Sequence, residues 1–249
     1  NLVELGNDLF HIRLKAEKIT ELAFPGQFVN VYCREPESLD PLLARPLSLF
    51  RIDKEIGVLE LVFRKVGKGT SWLSKKGPGE RLQLLGPLGN GFTQPHNFSK
   101  VLLFAGGIGM PPLYSLAEGS KGVDFSLFYG GQTQRDLVFV DDWQKIVDQL
   151  HLATDDGSRG FHGNLVDLAS SLLLSKAADF YYACGPRPML KAVKQLMENM
   201  GIPGELSLEE RMACGVGACL GCVCQTSGGY AQVCTEGPVF PAAEVVFDE

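Results

Sequence analysis

Cys214, Cys219 and Cys222 lie in the run Cys-Gly-Val-Gly-Ala-Cys-Leu-Gly-Cys, and Cys234 follows further on. This C-x4-C-x2-C spacing with a distant fourth cysteine is the plant-type arrangement for a [2Fe-2S] cluster held by four thiolates. Such a cluster passes electrons one at a time, so the chemistry expected is a single-electron relay. Three thiolates that reach one small inorganic core from a short stretch need a tight loop. Gly215, Gly217 and Gly221 permit it and leave backbone N–H groups free to approach sulfur. A structural zinc site is the competing arrangement, but it is usually built from two short Cys-x2-Cys-like pairs, and this chain has one. Cys224 shares a face with Cys222 on an extended chain, so direction alone leaves it open as a ligand. The spacing favours Cys222 and reads Cys224 as a packed thiol. Cys33 and Cys184 sit in apolar, strand-like stretches and read as core residues.

Two further loops carry chemistry. Gly106-Gly107-Ile108-Gly109-Met110-Pro111-Pro112 directly follows an apolar run, where glycines let backbone approach a diphosphate and a proline suits the start of an anion-attracting helix. It departs from G-x-G-x-x-G, and a plain strand-to-helix turn is the alternative. Cys184-Gly185-Pro186-Arg187-Pro188 repeats the same logic. Two such loops at the C-terminal edge of one parallel sheet mark a ligand crevice. Nearer the N-terminus, Arg45-Pro46-Leu47-Ser48 begins a strand, Arg64 ends another, and Gly67-Lys68-Gly69-Thr70-Ser71 leads into a helix. Each arginine alone reads as a solvated surface residue; together with the helix start they point to a second diphosphate site. Asp155-Asp156-Gly157 is either a pair of acids for proton transfer or, more simply, a polar turn. His11, His96, His151 and His162 show no metal spacing, and no Gly-x-Ser-x-Gly elbow is present. Hydride transfer between bound cofactors needs no protein acid or base, so no catalytic side chain is assigned.

The elements that must position these loops divide into three units. Residues 1–98 read as an antiparallel barrel of short strands (26–33, 46–52, 58–66 and 81–85), with Asp53–Gly57 as a hairpin turn. One helix starts near Thr70 or Ser71, either of which is its expected N-cap. Residues 99–203 alternate apolar strands (101–105, 125–129, 151–154 and 180–184) with helices (111–118, 141–150, 164–176 and 187–200), the pattern of an open parallel sheet. The last helix carries an apolar stripe of Met189, Leu190, Val193, Leu196, Met197 and Met200, and Gly201 stops it. Residues 204–249 form the cluster unit, with Tyr230–Cys234 returning as a hairpin strand. The fold class expected is therefore β plus α/β in several domains.

The 249 residues carry a net charge of −6 without a basic block, which argues against nucleic acid or an anionic membrane as partner. Apolar runs are too short for a membrane span and no signal peptide is recognised. Seven cysteines, four of them ligand-spaced, fit a reducing cytoplasm better than a disulfide framework. Internal repeats and low-complexity segments are absent.

With these pieces in order, the sequence resembles the ferredoxin–NADP reductase superfamily, and within it the electron-transfer subunits of class 1B dihydroorotate dehydrogenases. The likeness spans essentially the whole chain. Its most specific parts are Arg45-Pro46-Leu47-Ser48, Gly106–Gly109, Cys184–Leu190 and Glu210-Arg211-Met212-Ala213-Cys214-Gly215-Val216-Gly217-Ala218-Cys219. The resemblance implies that Arg45, Pro46, Leu47 and Ser48 hold FAD at its ring and phosphate region, with Val62, Phe63, Arg64, Gly69 and Thr70 holding the rest. It implies that Gly106, Gly107, Gly109, Cys184, Gly185 and Pro186 face the nicotinamide nucleotide, and that Cys214, Cys219, Cys222 and Cys234 ligate the cluster. It further implies electron flow from NADH through FAD and the cluster to FMN on a separate dihydroorotate dehydrogenase catalytic subunit, in a heterotetramer of two plus two chains serving pyrimidine (UMP) biosynthesis. Met110-Pro111-Pro112 departs from the smaller residues and single proline of related chains, which leaves nicotinamide access open. Arg135, after the second parallel strand, is either an NADP phosphate contact or a surface charge beside Asp136; the resemblance favours NAD. Two alternatives remain: the small subunit of a ferredoxin–NAD(P) transhydrogenase or sulfhydrogenase-type reductase, and a non-catalytic nucleotide-binding module with a structural zinc.

Overall fold

The computed structural model describes residues 1–173 and 177–247. The N-terminal unit is an antiparallel sheet of six strands: β1 (Leu2–Gly6), β2 (Leu9–Lys15), β3 (Phe28–Tyr32), β4 (Arg45–Asp53), β5 (Val58–Arg64) and β6 (Gln83–Leu88). Their order is β1-β2-β5-β4-β3-β6. Inward residues of all six strands surround one core that includes Ile12, Val31, Leu49, Leu61 and Phe63. Leu2 and Ile12 share a cleft with Leu82 and Leu84, so the sheet curls until its two edges approach each other. The expected hairpin turn is present: Asp53 pairs with Val58, and the Asp53 carboxylate accepts from the Glu55 and Ile56 N–H groups. Two helices, α1 (Glu17–Leu22) and α2 (Lys68–Leu73), interrupt the strands. The N-cap of α2 is Gly67, not Thr70 or Ser71. Thr70 lies one turn inside, where its Oγ1 accepts from the N–H groups of Val66 and Gly67 at 3.0 and 3.2 Å. The hydroxyl satisfies the helix start from within, so glycine suffices at the cap.

The second sheet has seven strands in the order β10-β9-β8-β7-β11-β12-β15. These are β7 (Lys100–Gly106), β8 (Asp124–Gly131), β9 (Gln149–Thr154), β10 (Phe161–His162), β11 (Phe180–Cys184), β12 (Gly204–Ser207) and β15 (Val239–Pro241). All neighbours run parallel except β15, which is antiparallel to β12. Helices α3 (Met110–Gly119) and α4 (Val140–Trp143) cover one face, over a core that also takes in Phe50 and Val62 of the first unit. Helices α5 (Leu165–Leu172) and α6 (Arg187–Met200) cover the other, over a core that reaches Cys222, Cys224 and Cys234. Gly201 ends α6 at φ 70°, as the sequence implies.

The helix expected over 141–150 is only four residues long. Asp148 and Gln149 are taken by the sheet: the Asp148 carboxylate accepts from the Phe125 N–H at 2.8 Å, and its own N–H donates to the Phe125 carbonyl. Strand pairing overrides a helical pattern here. The helix expected over 164–176 runs over Leu165–Leu172 from its N-cap Asn164, and Leu174–Lys176 lie outside the described residues. Strands β13 (Val223–Thr226) and β14 (Gly229–Gln232) form the expected hairpin of the cluster segment. Two strands from within residues 204–249, β12 and β15, complete the sheet of the preceding unit.

Candidate functional site

The strand order reverses between β7 and β11: β8 to β10 lie on one side of the pair and β12 with β15 on the other. A parallel sheet opens at such a switch point, and ligands enter over the C-terminal strand ends. A cleft of about 1020 Å³ lies there, lined by Gly106, Gly107, Gly109, Gly185 and Pro186 together with the ends of β8 and β9. Cys184 is buried directly beneath it. Helices α3, α5 and α6 all begin on the cleft wall, at Gly109, Asn164 and Pro186. Their unpaired N–H groups favour a diphosphate.

The glycines divide into two kinds. A Cβ on Gly109 would fall 2.5 Å from the Cys184 carbonyl oxygen, so this glycine lets the two loops pack against each other. Gly107, at φ 50°, has open space where its Cβ would be, and it is the glycine that bares backbone to the cleft. Both loops are thus brought to one place, with the glycines divided between close packing and open backbone.

The cleft also contains Asp136, Asp167 and Glu209, to which sequence reasoning gave no role. Arg64, expected at FAD, reaches across to the second sheet and pairs with Asp136 at 2.8 Å. Asp136 also accepts from Asn7 Nδ2 and from the Thr133 N–H. Burial works against its charge, but Arg64 and these donors outweigh burial and hold the carboxyl below its usual range. Asp155 and Asp167 line the same wall, and Asp155 belongs to a polar turn closed by Gly157 at φ 72°. Arg135 is exposed and does not line the cleft. Glu209 opens onto the cleft, yet crowding by surrounding protein pushes its carboxyl up. It stands beside the Cys184 thiol, which burial pushes up strongly. No spacing in the sequence marks Asp136 or Glu209; only the return of β12 to the sheet places Glu209 here.

The flavin candidates meet where β4 and β5 part. The first half of β4, Arg45 to Ser48, pairs with β3, while the end of β5 pairs with β2 up to Leu9 opposite Arg64. Arg45 to Ser48 are left half-exposed in the gap, whereas Val62 is buried in the core shared with the second sheet and Phe63 in the barrel core. The Arg45 guanidinium lies against Gly69 of α2, within 2.9 Å of where a Cβ would sit. The same guanidinium donates to the Leu43 and Ala44 carbonyls, so an arginine fork is held at the start of α2, where charge-assisted contacts to a dinucleotide diphosphate are available. Arg64 is the exception, being committed to the opposite wall.

In the cluster segment the four cysteines fall into two neighbouring pairs. The Val216 N–H and the neighbouring Cys219 thiol bring the Cys214 thiol down to about 6. Burial first, and then the adjacent Cys222, pushes Cys234 up to about 11. The Gly217 N–H donates to Cys234 Sγ at 3.2 Å and the Val216 N–H to Cys214 Sγ at 3.5 Å, so the glycine loop bridges both pairs. Among the described residues no three His, Cys, Asp or Glu side chains converge to hold a single metal ion. Two thiol pairs joined by one loop fit a two-iron core, in which each iron takes two thiolates. Cys222 and Cys234 are buried and Cys219 is exposed. Cys224 is packed in the core opposite Ala231. Arg187 of α6 pairs with Glu210 at 2.6 Å and so ties the nucleotide loop to this segment.

Comparison with known proteins agrees with this geometry. Residues 209–246 match the iron-sulfur cluster binding domain of dihydroorotate dehydrogenase B. The chain is 45% identical over 245 residues to the "Dihydroorotate dehydrogenase B (NAD(+)), electron transfer subunit" of Geobacillus kaustophilus (strain HTA426), covering 95% of this chain and 92% of that protein. It is 40% identical to the protein of that name from Desulforamulus reducens (strain ATCC BAA-1160 / DSM 100696 / MI-1), covering 96% and 93%. Among solved structures it resembles an NADH-dependent reduced ferredoxin-NADP oxidoreductase studied for flavin-based electron bifurcation (TM-score 0.88, 31% identity, 99% of this chain and 88% of that chain). It also resembles the ferredoxin reductase of carbazole 1,9a-dioxygenase (TM-score 0.67, 26% identity, 82% and 64%).

Proposed function

The chain belongs to the family of dihydroorotate dehydrogenase B (NAD(+)) electron transfer subunits, and from that premise we propose that it carries electrons between NADH and an FMN-containing dihydroorotate dehydrogenase catalytic subunit, in a complex of two chains of each kind serving pyrimidine biosynthesis in the cytoplasm. No helix among the described residues is long and apolar enough to cross a membrane. The observation that carries the reading is the adjacency of three cradles in one chain: the cleft at the β7/β11 switch point, the gap between β4 and β5, and the paired thiols of the cluster loop.

When bound, NADH supplies a hydride, FAD takes it as an electron pair, and the [2Fe-2S] cluster passes the electrons singly. The protein's part is placement. Gly107 and the starts of α3, α5 and α6 hold the nucleotide diphosphate. Cys184, Gly185 and Pro186 fix the nicotinamide end beside Met189, and Glu209 closes that wall. Arg45 and Ser48 orient the flavin, with Gly69 and Thr70 beneath them. Cys214, Cys219, Cys222 and Cys234 hold the cluster. The wall carries Asp136, Asp155, Asp167 and Glu209, while Arg64 is committed to Asp136. With Asp136 balanced by Arg64 and Glu209 at the nicotinamide end, Asp155 and Asp167 are the unbalanced charges left for a 2′-phosphate to meet, which supports NAD over NADP. Cys219 is exposed, and Val216 and Leu220 of the same loop are exposed apolar side chains. That patch is the face for the catalytic subunit.

The test is NADH-dependent reduction of orotate by this chain co-expressed with a catalytic subunit from the same source, with flavin and cluster bleaching followed together. Turnover that needs both subunits is the expected result. Bleaching by NADH without orotate turnover assigns another acceptor and favours the transhydrogenase-type reading, to which the TM-score of 0.88 lends weight. A colourless zinc protein rejects both.

A further inference from the structure

Asn30 is 2% exposed, on β3 between β4 and β6. Its neighbours Val29 and Val31 point into the barrel core, so Asn30 points outward. There it stands opposite Pro46, within the Arg45–Ser48 stretch of β4. Its Nδ2 donates to the carbonyl oxygen of Cys214 at 3.2 Å, across 184 residues of sequence. Its Oδ1 is buried and has no partner among the described residues. An apolar side chain would fill this place without the penalty of burying an amide with an unmade acceptor. The loop on the other side is shaped to the amide: Gly215 is at φ 73°, and a Cβ there would lie 2.2 Å from Asn30 Nδ2.

We propose that Asn30 is a positioning residue for electron transfer, holding the first cluster ligand against the flavin-bearing strand. The inference rests on the proposed function, because it presumes flavin on β4 and a cluster on Cys214. One side chain ties the two: it leaves the strand face opposite Pro46 and ends on the peptide that carries the Cys214 thiolate. Fixing that carbonyl fixes the orientation of the Cys214 peptide and, through it, the Val216 N–H that donates to Cys214 Sγ. Hydrogen bonds to cluster sulfur set its potential and electronic structure. The unpartnered Oδ1 leaves one acceptor for a group that the protein itself does not provide.

The test uses the chain purified with its FAD and cluster, as wild type, Asn30→Ala and Asn30→Leu. The leucine refills the volume that alanine empties, and neither can donate to Cys214. The readouts are the EPR g-values of the dithionite-reduced cluster and the lag between flavin and cluster reduction after mixing with NADH. Both variants are expected to keep flavin absorbance, to shift the g-values and to lengthen the lag; loss of the cluster signal from both with flavin retained supports the same role. Wild-type g-values and lag in both variants overturn it. So does a change in Asn30→Ala that Asn30→Leu restores, which makes the residue a space filler, and so does loss of flavin from both, which makes it barrel packing. A wild-type chain that binds neither flavin nor cluster rejects the proposed function instead.

Discussion

Between Cys214 and Cys234 the only regular structure is one short hairpin, and the binding proposed there rests on side chains; at the cleft several strands end together, and the binding proposed there rests on backbone. The cluster loop fixes its ligands by their number and spacing, and its glycines let the chain turn and donate to sulfur. In the cleft the residue types matter less than where the sheet reverses. A change in the first region should therefore remove one cofactor and little else, whereas a change in the second should act through packing.

The largest effect expected is in the cluster loop. Cys219→Ser should abolish the visible bands and EPR signal of the cluster while flavin bands persist, and Cys224→Ser should leave both. The reverse outcome would exchange the two thiols' roles. In the cleft, Gly109→Ala puts a methyl 2.5 Å from the Cys184 carbonyl oxygen, which is backbone and cannot move aside cheaply. It should lower stability by about 1–3 kcal/mol and suppress NADH-driven flavin bleaching with the cluster intact. Gly107→Ala meets open space and carries only the strain of φ 50°, about 1–2 kcal/mol. Thermal melts with stopped-flow reduction separate the two, and equal losses would break the division of the glycines.

A comparable effect, confined to one cofactor, is expected at the flavin gap, which stands between the extremes because it uses one side chain and one helix start. Arg45→Ala removes a charge-assisted contact of roughly 1.5–3 kcal/mol, so FAD should dissociate about ten- to a hundredfold more readily, as measured by equilibrium dialysis. Unchanged affinity would move the flavin away from Arg45. The smallest effect is at Asp136, whose carboxyl is held below its usual range in the fold. A depressed carboxylate contributes stability that is complete above the ordinary value of about 4 and is lost as pH falls through the lowered one. Wild type should therefore melt above Asp136→Asn near neutral pH, by about 1 kcal/mol, and the gap should close in acid. A gap independent of pH would show that Arg64 and Asp136 do not act as an ion pair.

Legibility in the sequence follows the same division. Cysteine spacing is a local property, and the candidate ligand set rests on it. The same holds for β7, β8 and β11, which are apolar runs buried on both faces, and for α6, whose stripe ends at Gly201. What the sequence hid depends on distant parts of the chain. β1 and β2 are half-exposed strands whose pattern is weak, and the pairing of Asp148 with Phe125 cut short a helix that its own residues would support. The partner that Arg64 takes, Asp136, is 72 residues away and so was hidden from the reading of its own strand. Asn30 looked like any polar residue in a strand until Cys214 came to rest on it.

The cluster loop leaves the second sheet at β12 and returns to it at β15, the neighbouring strand. Asn90 of the barrel donates to the carbonyls of Thr235 and Glu236, and Thr93 donates to Glu205 of β12, so both ends of the loop are also pinned to the barrel. A loop moored in this way cannot work as a ferry that carries charge from one dock to another. It is a fixed pier, and the distance an electron must tunnel stays the same from one turnover to the next. Thickening the solvent with glycerol should therefore leave the flavin-to-cluster step at its original rate, whereas a tethered shuttle would slow in proportion to viscosity.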